Sequence, residues 1–504
     1  MRIPIVKSLH IESFSGTNIT AADYFNKNAI IGEYDDGRIY ATQRPSIDVF
    51  DDNAGTKKGR GIYFWDKADD RYIVIDDKVY KGSTSSAIHT FAAGGTEKVY
   101  FIEMVSYLVI LDPENNKGYY IHTGATSTVV EIVDADFPGN IAGVNIIAGG
   151  AFLDGAIYVG GDDGKIYGSD PNTPINWTGG NTISAEREAD GGVYLDKHLD
   201  HIVMFGTRTI EFFYNAGNPT ASPLSRRKDI FHNVGMMEGG AAWREGDDIY
   251  FVGIYPSGPL EVMKLSQFQP INISTPEIES YITSARLVED SDFISSGFTA
   301  GHRSFYIITF YRIVSGAIEP TISIAFDGTS WGLWESGMCS CGNFPLIGWT
   351  IRSGSDARSG EGIFVNGDLI TINDDFVPVD TLLASGYVAS GYVASGYYVA
   401  TGGSGSNVEM TVRANPFDGD TNHWKFGHNL EVVGDETVAS INASISWADG
   451  NSVSFGTGRN IDLSKKQKLT RLGRFKRRNH QVVIDSAEQY RIEALELELT
   501  EGGH

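Results

Sequence analysis

Cysteine is nearly absent: the 504 residues contain two, Cys339 and Cys341. Two thiols two positions apart cannot staple a chain of this length, so a disulfide scaffold is excluded and assembly in a reducing compartment fits. They do not suggest a metal centre either, because no second Cys or His pair accompanies them at ligand spacing. Adjacent outward positions of one strand account for them. Long apolar runs are also missing. No stretch approaches the ~20 apolar residues a membrane-spanning helix needs, and Met1-Arg2-Ile3-Pro4-Ile5-Val6-Lys7 lacks the apolar core of a signal peptide. Positive charge is scarce, with 40 Lys and Arg against 64 Asp and Glu and a formal net charge of −24. Such a surface repels a phosphate backbone, which argues against general nucleic-acid affinity. It also keeps a large assembly soluble before its subunits lock together.

What is plentiful is glycine, at 59 residues, with 24 Tyr and 26 Phe. Glycine serves tight turns and aromatics serve half-buried pleated surfaces, so the composition predicts many short strands in two or three domains. Strand–turn–strand units recur along the chain. Arg71 to Ile75 turns at Asp76-Asp77 into Lys78 to Tyr80, and Val105 to Leu111 turns through Asp112 to Gly118 into Tyr119 to Ile121. Further units turn at Gly160 to Gly164, at Gly206 to Arg208 and at Pro256 to Pro259; a sixth pairs Phe305 to Tyr311 with Thr321 to Phe326. Apolar runs bounded by Gly, Asp, Asn or Pro are hairpin chemistry. Their turn centres lie roughly 40 to 55 residues apart, the length of one four-stranded propeller blade. The expected fold is therefore all-β, a β-propeller of about six blades over residues 46–370. A pair of β-sandwiches or a long meander would also satisfy the spacing.

Residues 1–45, ending at Thr42-Gln43-Arg44-Pro45, are poorly periodic and read as an N-terminal arm. Residues 371–406 are a low-complexity loop or insertion. In it Ala384-Ser385-Gly386-Tyr387-Val388 recurs at Ala389 to Val393, and Tyr397 lies in a partial third copy before Gly402-Gly403-Ser404-Gly405-Ser406. The exposed tyrosines Tyr387, Tyr392 and Tyr397 are candidates for stacking against a neighbouring subunit. Over residues 407–504 alternating strands return. They end in Tyr490 to Leu499, where apolar and acidic residues alternate as in a one-sided strand, and predict a C-terminal β-sandwich-like domain.

A search for chemistry yields no catalytic, metal-binding or cofactor-binding residues. The acidic pairs Asp76-Asp77, Asp162-Asp163 and Asp247-Asp248 sit in turns, where aspartates bond their own backbone. Ala325 to Trp331 has the wrong spacing for a sialidase box, and Asp112 to Gly118 lacks the glycine and bidentate glutamate of a calcium loop. The 11 histidines are scattered, and no phosphate-cradling Gly-x-x-x-x-Gly-Lys loop occurs. One cluster stands out: Lys465, Lys466, Lys468, Arg471, Arg474, Lys476, Arg477 and Arg478 place eight positive charges in fourteen residues. A solvated hairpin or a phosphate contact would explain it, and so would a patch that pairs with an acidic neighbouring subunit. In so acidic a chain the last is the simplest functional role.

His201-Ile202-Val203-Met204-Phe205-Gly206-Thr207-Arg208-Thr209-Ile210-Glu211-Phe212-Phe213-Tyr214, followed by the polar loop Asn218 to Asn233 and the turn Val234-Gly235, resembles a segment of the packaged-DNA stabilisation, or tail hub, proteins of short-tailed bacteriophages. Thr42-Gln43-Arg44-Pro45 is similar to that family's early Arg-Pro segment, and Val79-Tyr80-Lys81-Gly82 to its first blade. Thr470-Arg471-Leu472-Gly473-Arg474-Phe475-Lys476-Arg477 is similar to its basic C-terminal stretch. The matches run in the family's order over most of the chain; the Ala-Ser-Gly-Tyr-Val repeats depart from it. The resemblance implies a non-enzymatic virion subunit in a homo-hexameric ring below the portal adaptor. Such a subunit would retain packaged double-stranded DNA, conduct it on ejection and meet tail fibre, spike or needle proteins. The alternative is a propeller-type tail protein that binds or cleaves glycans.

Overall fold

The computed structural model describes residues 2–4, 26–34, 36–51, 58–185, 187–255, 260–286, 291–300, 303–314, 317–336, 344–350, 360–372, 379–382, 405–414, 423–435, 437, 440–449, 454–487 and 489–502. Among them the regular structure is almost all strand, in eight sheets, with one α-helix at Pro276–Arg286. Seven of the sheets each contribute a blade to a ring.

The first blade shows why these sequences form blades. Gly59–Trp65, Asp70–Ile75, Lys78–Lys81 and Ser83–Thr90 pair antiparallel in chain order. Asp69 and Asp76 make the turns between them in the left-handed region (φ 46° and 50°), which Asp tolerates better than most residues. The second strand is apolar without alternation, and Tyr72, Ile73, Val74 and Ile75 are all buried. A middle strand of a blade is covered on both faces by the neighbouring blades, so each such side chain gains about 1.5–3 kcal/mol of burial. The same continuous burial marks Leu108 to Leu111, Ile157 to Val159 and Ile202 to Phe205.

Blades two to five follow in sequence, from Tyr100–Glu103 through Gln269–Asn272, and blade six comprises Ser291–Ala300, Arg303–Val314, Ala317–Phe326 and Trp331–Trp334. These and the first are the six units legible from turn spacing. The seventh blade is composite. Leu346–Thr350, Gly360–Phe364 and Leu369–Ile372 receive Ile47–Asp51 as their fourth strand, with Ile372 opposite Ile47 and Ile370 opposite Val49. Its inner strand lies between those of blades six and one. Ile347, Ile363 and Leu369 share one core with Ile62, Ile73 and Ile75 of blade one and with Ile294 and Tyr311 of blade six. Phe64 N donates to Thr350 Oγ1 at 2.8 Å, sealing the ring.

A sandwich adjoins the propeller. One of its sheets runs Ala29–Glu33, Ile39–Gln43, Ile492–Glu501, Lys425–Gly434, Leu469–Phe475. The facing one runs Asn26–Lys27, Met410–Arg413, Arg478–Ile484, Asn442–Asp449, Arg459–Asp462. Between them lies a core that includes Ile31, Leu430, Ile445, Phe475, Val482 and Leu497. Residues 26–43, read from the sequence as part of an arm, thus complete both sheets. Lys27 also pairs with Leu333, so blade six and the second sandwich sheet form one nine-stranded sheet. Arg44 sits at the junction, fully buried. Its guanidinium donates to Asn28 Oδ1 (3.1 Å), Glu335 O (2.7 Å) and Pro45 O (2.7 Å) and lies 5.3 Å from the Phe344 ring centre.

Candidate functional site: a cationic aromatic sheet face

The basic run identified in the sequence divides in the structure. It begins beside Asp462, which Lys465 pairs with at 2.9 Å, and whose carboxyl the Ser464 hydroxyl holds down to about 2. Lys466 closes that turn in a left-handed conformation (φ 49°), and Lys468 pairs with Glu431 at 2.9 Å. Among the described residues Leu469–Phe475 then forms the edge of its sheet, bonded to Lys425–Gly434 alone. Leu472 and Phe475 point into the sandwich core while Arg471 and Arg474 are exposed. Arg471 and Gly473 both take positive φ (57° and 76°), which bends the edge. A bent, cationic edge resists open-ended pairing with another strand. Lys476 and Arg477 are exposed in the hairpin.

Arg478 departs from this exposed group and belongs to the interior. It is buried and forked onto Asp449 (2.5 and 2.9 Å), and it donates to Leu472 O at 2.6 Å. Its guanidinium lies 4.2 Å from the centre of Phe475. The next residues face inward, and His480, pushed down to about 3 by burial, is neutral at physiological pH.

The structure adds two aromatics that the sequence reading missed. Trp424-Lys425-Phe426 presents its rings outward, each 45% exposed, while Lys425 is fully buried. The reversal has a local cause: Lys425 Nζ donates to His423 O and Lys476 O, both at 3.2 Å, which ties the strand start to the basic hairpin. Phe426 stands opposite Arg474 on one side and Thr500 on the other. The Arg474 guanidinium is 4.9 Å and the Lys476 ammonium 5.5 Å from the Trp424 ring centre. Trp, Phe and Arg on an exposed sheet face match the composition of interface hot spots. The visible signal was two aromatics flanking a lysine, at the spacing of one strand face.

The turn carboxylates are engaged locally. Asp327 accepts from Thr329 N (2.9 Å), Ser330 N (2.7 Å) and, across the junction, Ile31 N (3.3 Å). Asp112 forms a buried pair with Arg60 of blade one (2.6 and 3.0 Å). Among the described residues no group of three or more His, Cys, Asp or Glu could hold a metal ion. Tyr387, Tyr392, Tyr397, Cys339 and Cys341 lie outside the described residues. The strands flanking the tyrosine repeats, Val379–Leu382 and Gly405–Asn407, pair with each other and extend blade seven.

Side chains span the centre of the ring. Lys98, which leads into blade two, donates to Ser295 O in blade six, and Tyr100 OH donates to Gly239 O of blade five at 3.3 Å. These blades are on opposite sides of a seven-membered ring. Packed among protein atoms at the centre, the Lys98 ammonium is pushed down to about 7 by burial, and burial raises the Tyr100 phenol.

The model of a family described as "Bacteriophage P22 Gp10, beta-propeller" matches residues 1–345. The match ends where the composite seventh blade begins its inner strand. No curated protein matches the chain. Solved structures similar to it include a chain of a mitotic checkpoint complex, BamB from Moraxella catarrhalis and the Pan2 WD40 domain of Neurospora crassa. The first has 9% identity, TM-score 0.35 and coverage of 65% of this chain and 93% of that one. BamB has 9%, 0.33, 68% and 95%, and Pan2 8%, 0.37, 63% and 89%. At those scores the likenesses carry no argument.

Proposed function

This chain belongs to the phage stabilisation family described as Bacteriophage P22 Gp10, beta-propeller, and on that premise we propose that it is the tail hub, or nozzle, subunit of a virion. Copies close side by side into a homo-hexameric ring against the portal adaptor. The ring retains packaged double-stranded DNA, conducts it on ejection, and carries tail fibre, spike or needle proteins. It is assembled in the host cytoplasm and ends in the phage tail. Its working parts are the propeller, whose seventh blade takes Ile47–Asp51, and the sandwich, which takes residues 26–43 beside the C-terminal strands, and it needs no catalytic group or cofactor.

The observation that carries this reading is the exposed face of Trp424, Phe426, Arg474 and Lys476 on a chain of net charge −24. A cationic, partly apolar patch on an acidic body is attracted to the body of the next copy and repelled by little of it. Contacts from blade two to blades five and six cross the propeller centre, which favours a DNA path in a lumen between copies, and a chain of net charge −24 holds a phosphate backbone weakly.

The test is mass photometry with negative-stain imaging of the purified chain. Wild type forms rings. Arg474→Glu with Lys476→Glu, or Trp424→Ala alone, weakens association by about 30-fold or more, the effect of losing ~2 kcal/mol at a hot spot, with the circular dichroism melt unchanged. Normal rings from both variants, or a wild type that stays monomeric and cleaves glycans, would overturn the assignment.

A further inference from the structure

A groove of about 1270 Å³ opens between blades three and four, far in sequence from the sandwich face. Its walls come from the end of Trp177–Ser184 and from His201–Gly206, Ile210–Asn215 and Leu224–His232. The Tyr214 ring is 38% exposed there. Beside it Asn215 Nδ2 donates to Asp154 Oδ2 at 2.8 Å, which fixes the amide and leaves its Oδ1 turned to Gly217 N at 2.9 Å. Apart from Tyr214 and Ile183 the lining is polar or charged.

The charges cancel. Arg226, Arg227 and Lys228 face Asp154, Asp200 and Asp229 in the same lining. Arg227 is forked onto Asp229 (2.9 and 2.7 Å), and Arg226 is held by the buried Glu211 at 3.1 Å. Two of the three cations are therefore committed to carboxylates, and such cations do not attract a phosphate or sulfate strongly. The groove is a locally neutral place on a chain of net charge −24, fitted with fixed donors and acceptors.

His201 supplies a second observation. Arg227 Nη1 lies 3.1 Å from its Nε2. Arginine only donates, so Nε2 accepts and the proton of the neutral ring is on Nδ1. Burial and Arg227 both lower the histidine's pKa, favouring that neutral form. Nδ1 is buried and has no hydrogen-bond partner among the described residues. The Arg227–His201 contact thus fixes one more polar pair on the groove wall, while the buried Nδ1 is closed to a ligand.

We infer that this groove is a binding site for a neutral, hydroxyl-rich ligand, an oligosaccharide, which stacks one sugar face on Tyr214 and exchanges hydrogen bonds with the paired Asn, Asp and Arg groups. The amphipathic tyrosine ring suits a partner apolar on its flat face and wet at its edge, and convergent polar groups in a concave site give orientation. The site binds without cleaving, and it stands independently of ring formation.

Saturation-transfer NMR on the full chain tests it with maltohexaose, chitohexaose and a galactose-based hexasaccharide, and with a heparin hexasaccharide as the anionic counter-probe. The expected result is transfer to at least one neutral probe and none to heparin. Tyr214→Ala weakens that binding tenfold or more, Tyr214→Phe preserves it, and the thermal melt and ring assembly of both variants equal wild type. Absence of transfer to all three neutral probes, preference for heparin, or a Tyr214→Ala variant that binds like wild type would overturn the inference.

Discussion

The composite seventh blade makes a quantitative prediction through Ile47. Its side chain is fully buried among Phe298, Phe305, Trp334, Phe344 and Phe364, beside Ile370 and Ile372. Removing a buried Ile to Ala costs about 2–5 kcal/mol, more where the surroundings cannot collapse. Five aromatic rings packed against one another, with Phe298 and Phe305 stacked at 5.0 Å and Trp334 and Phe344 edge-on at 5.3 Å, leave little room to relax. Ile47→Ala should therefore cost about 3–4 kcal/mol, released where the ring is sealed. Native-state hydrogen exchange reads this directly. Amides of Leu369–Ile372, which pair with Ile47–Asp51, should open several hundredfold more often, since each ~1.4 kcal/mol is tenfold. Ile271→Ala, at a position 51% exposed on an outer strand of blade five, is the control and should change stability by less than ~0.5 kcal/mol. If protection at Leu369–Ile372 falls by less than about fivefold while the control behaves, residues 47–51 do not close the ring.

Other consequences separate the two roles within the basic run and test the propeller centre. Arg478→Ala should destabilise the sandwich by about 1–3 kcal/mol in urea unfolding, discounted because Asp449 is 49% exposed; a loss below ~0.5 kcal/mol would return Arg478 to the surface group. Lys98, whose pKa falls from 10.5 to about 7 on folding, makes the unfolded chain bind more protons between those values, so its contribution improves as pH rises from 7 to 10.5. Lys98→Met should thus stabilise most at or below pH 7, by about 1–2 kcal/mol after discounting for relaxation, and the gain should shrink toward pH 10. A wild-type–mutant difference that stays flat from pH 6 to 10 would contradict the burial of that ammonium.

Local chemistry was enough to read six blades. Asp76-Asp77 or Gly160 to Gly164 between two apolar runs specifies a hairpin whatever the rest of the chain does, because turn conformation and side-chain burial of adjacent strands are settled within a few residues. The same holds for the alternation in Ile492–Glu501, which announces a strand with one face in a core. The family resemblance, carried by Phe205 to Phe213 and its neighbours, was legible for the same reason. The seventh blade was not. Thr371 meets Asp48 across 323 residues, and pairing over such a distance leaves no periodicity in either segment.

The tertiary structure alone also placed residues 26–43 in the sandwich, where Ala29, Ile31 and Ala41 find a core that their own segment cannot build. It divided the cationic run as well. Arg474 and Arg478 are alike in sequence, but one stacks on an exposed Trp424 while the other satisfies a buried carbonyl and Asp449. Trp424 and Phe426 point outward only because Lys425 is held beneath the hairpin by two carbonyls. The sequence by itself determined which segments become strands and where they turn. Which strands are neighbours, and so which side chains reach water, followed from long-range burial that no local pattern encodes.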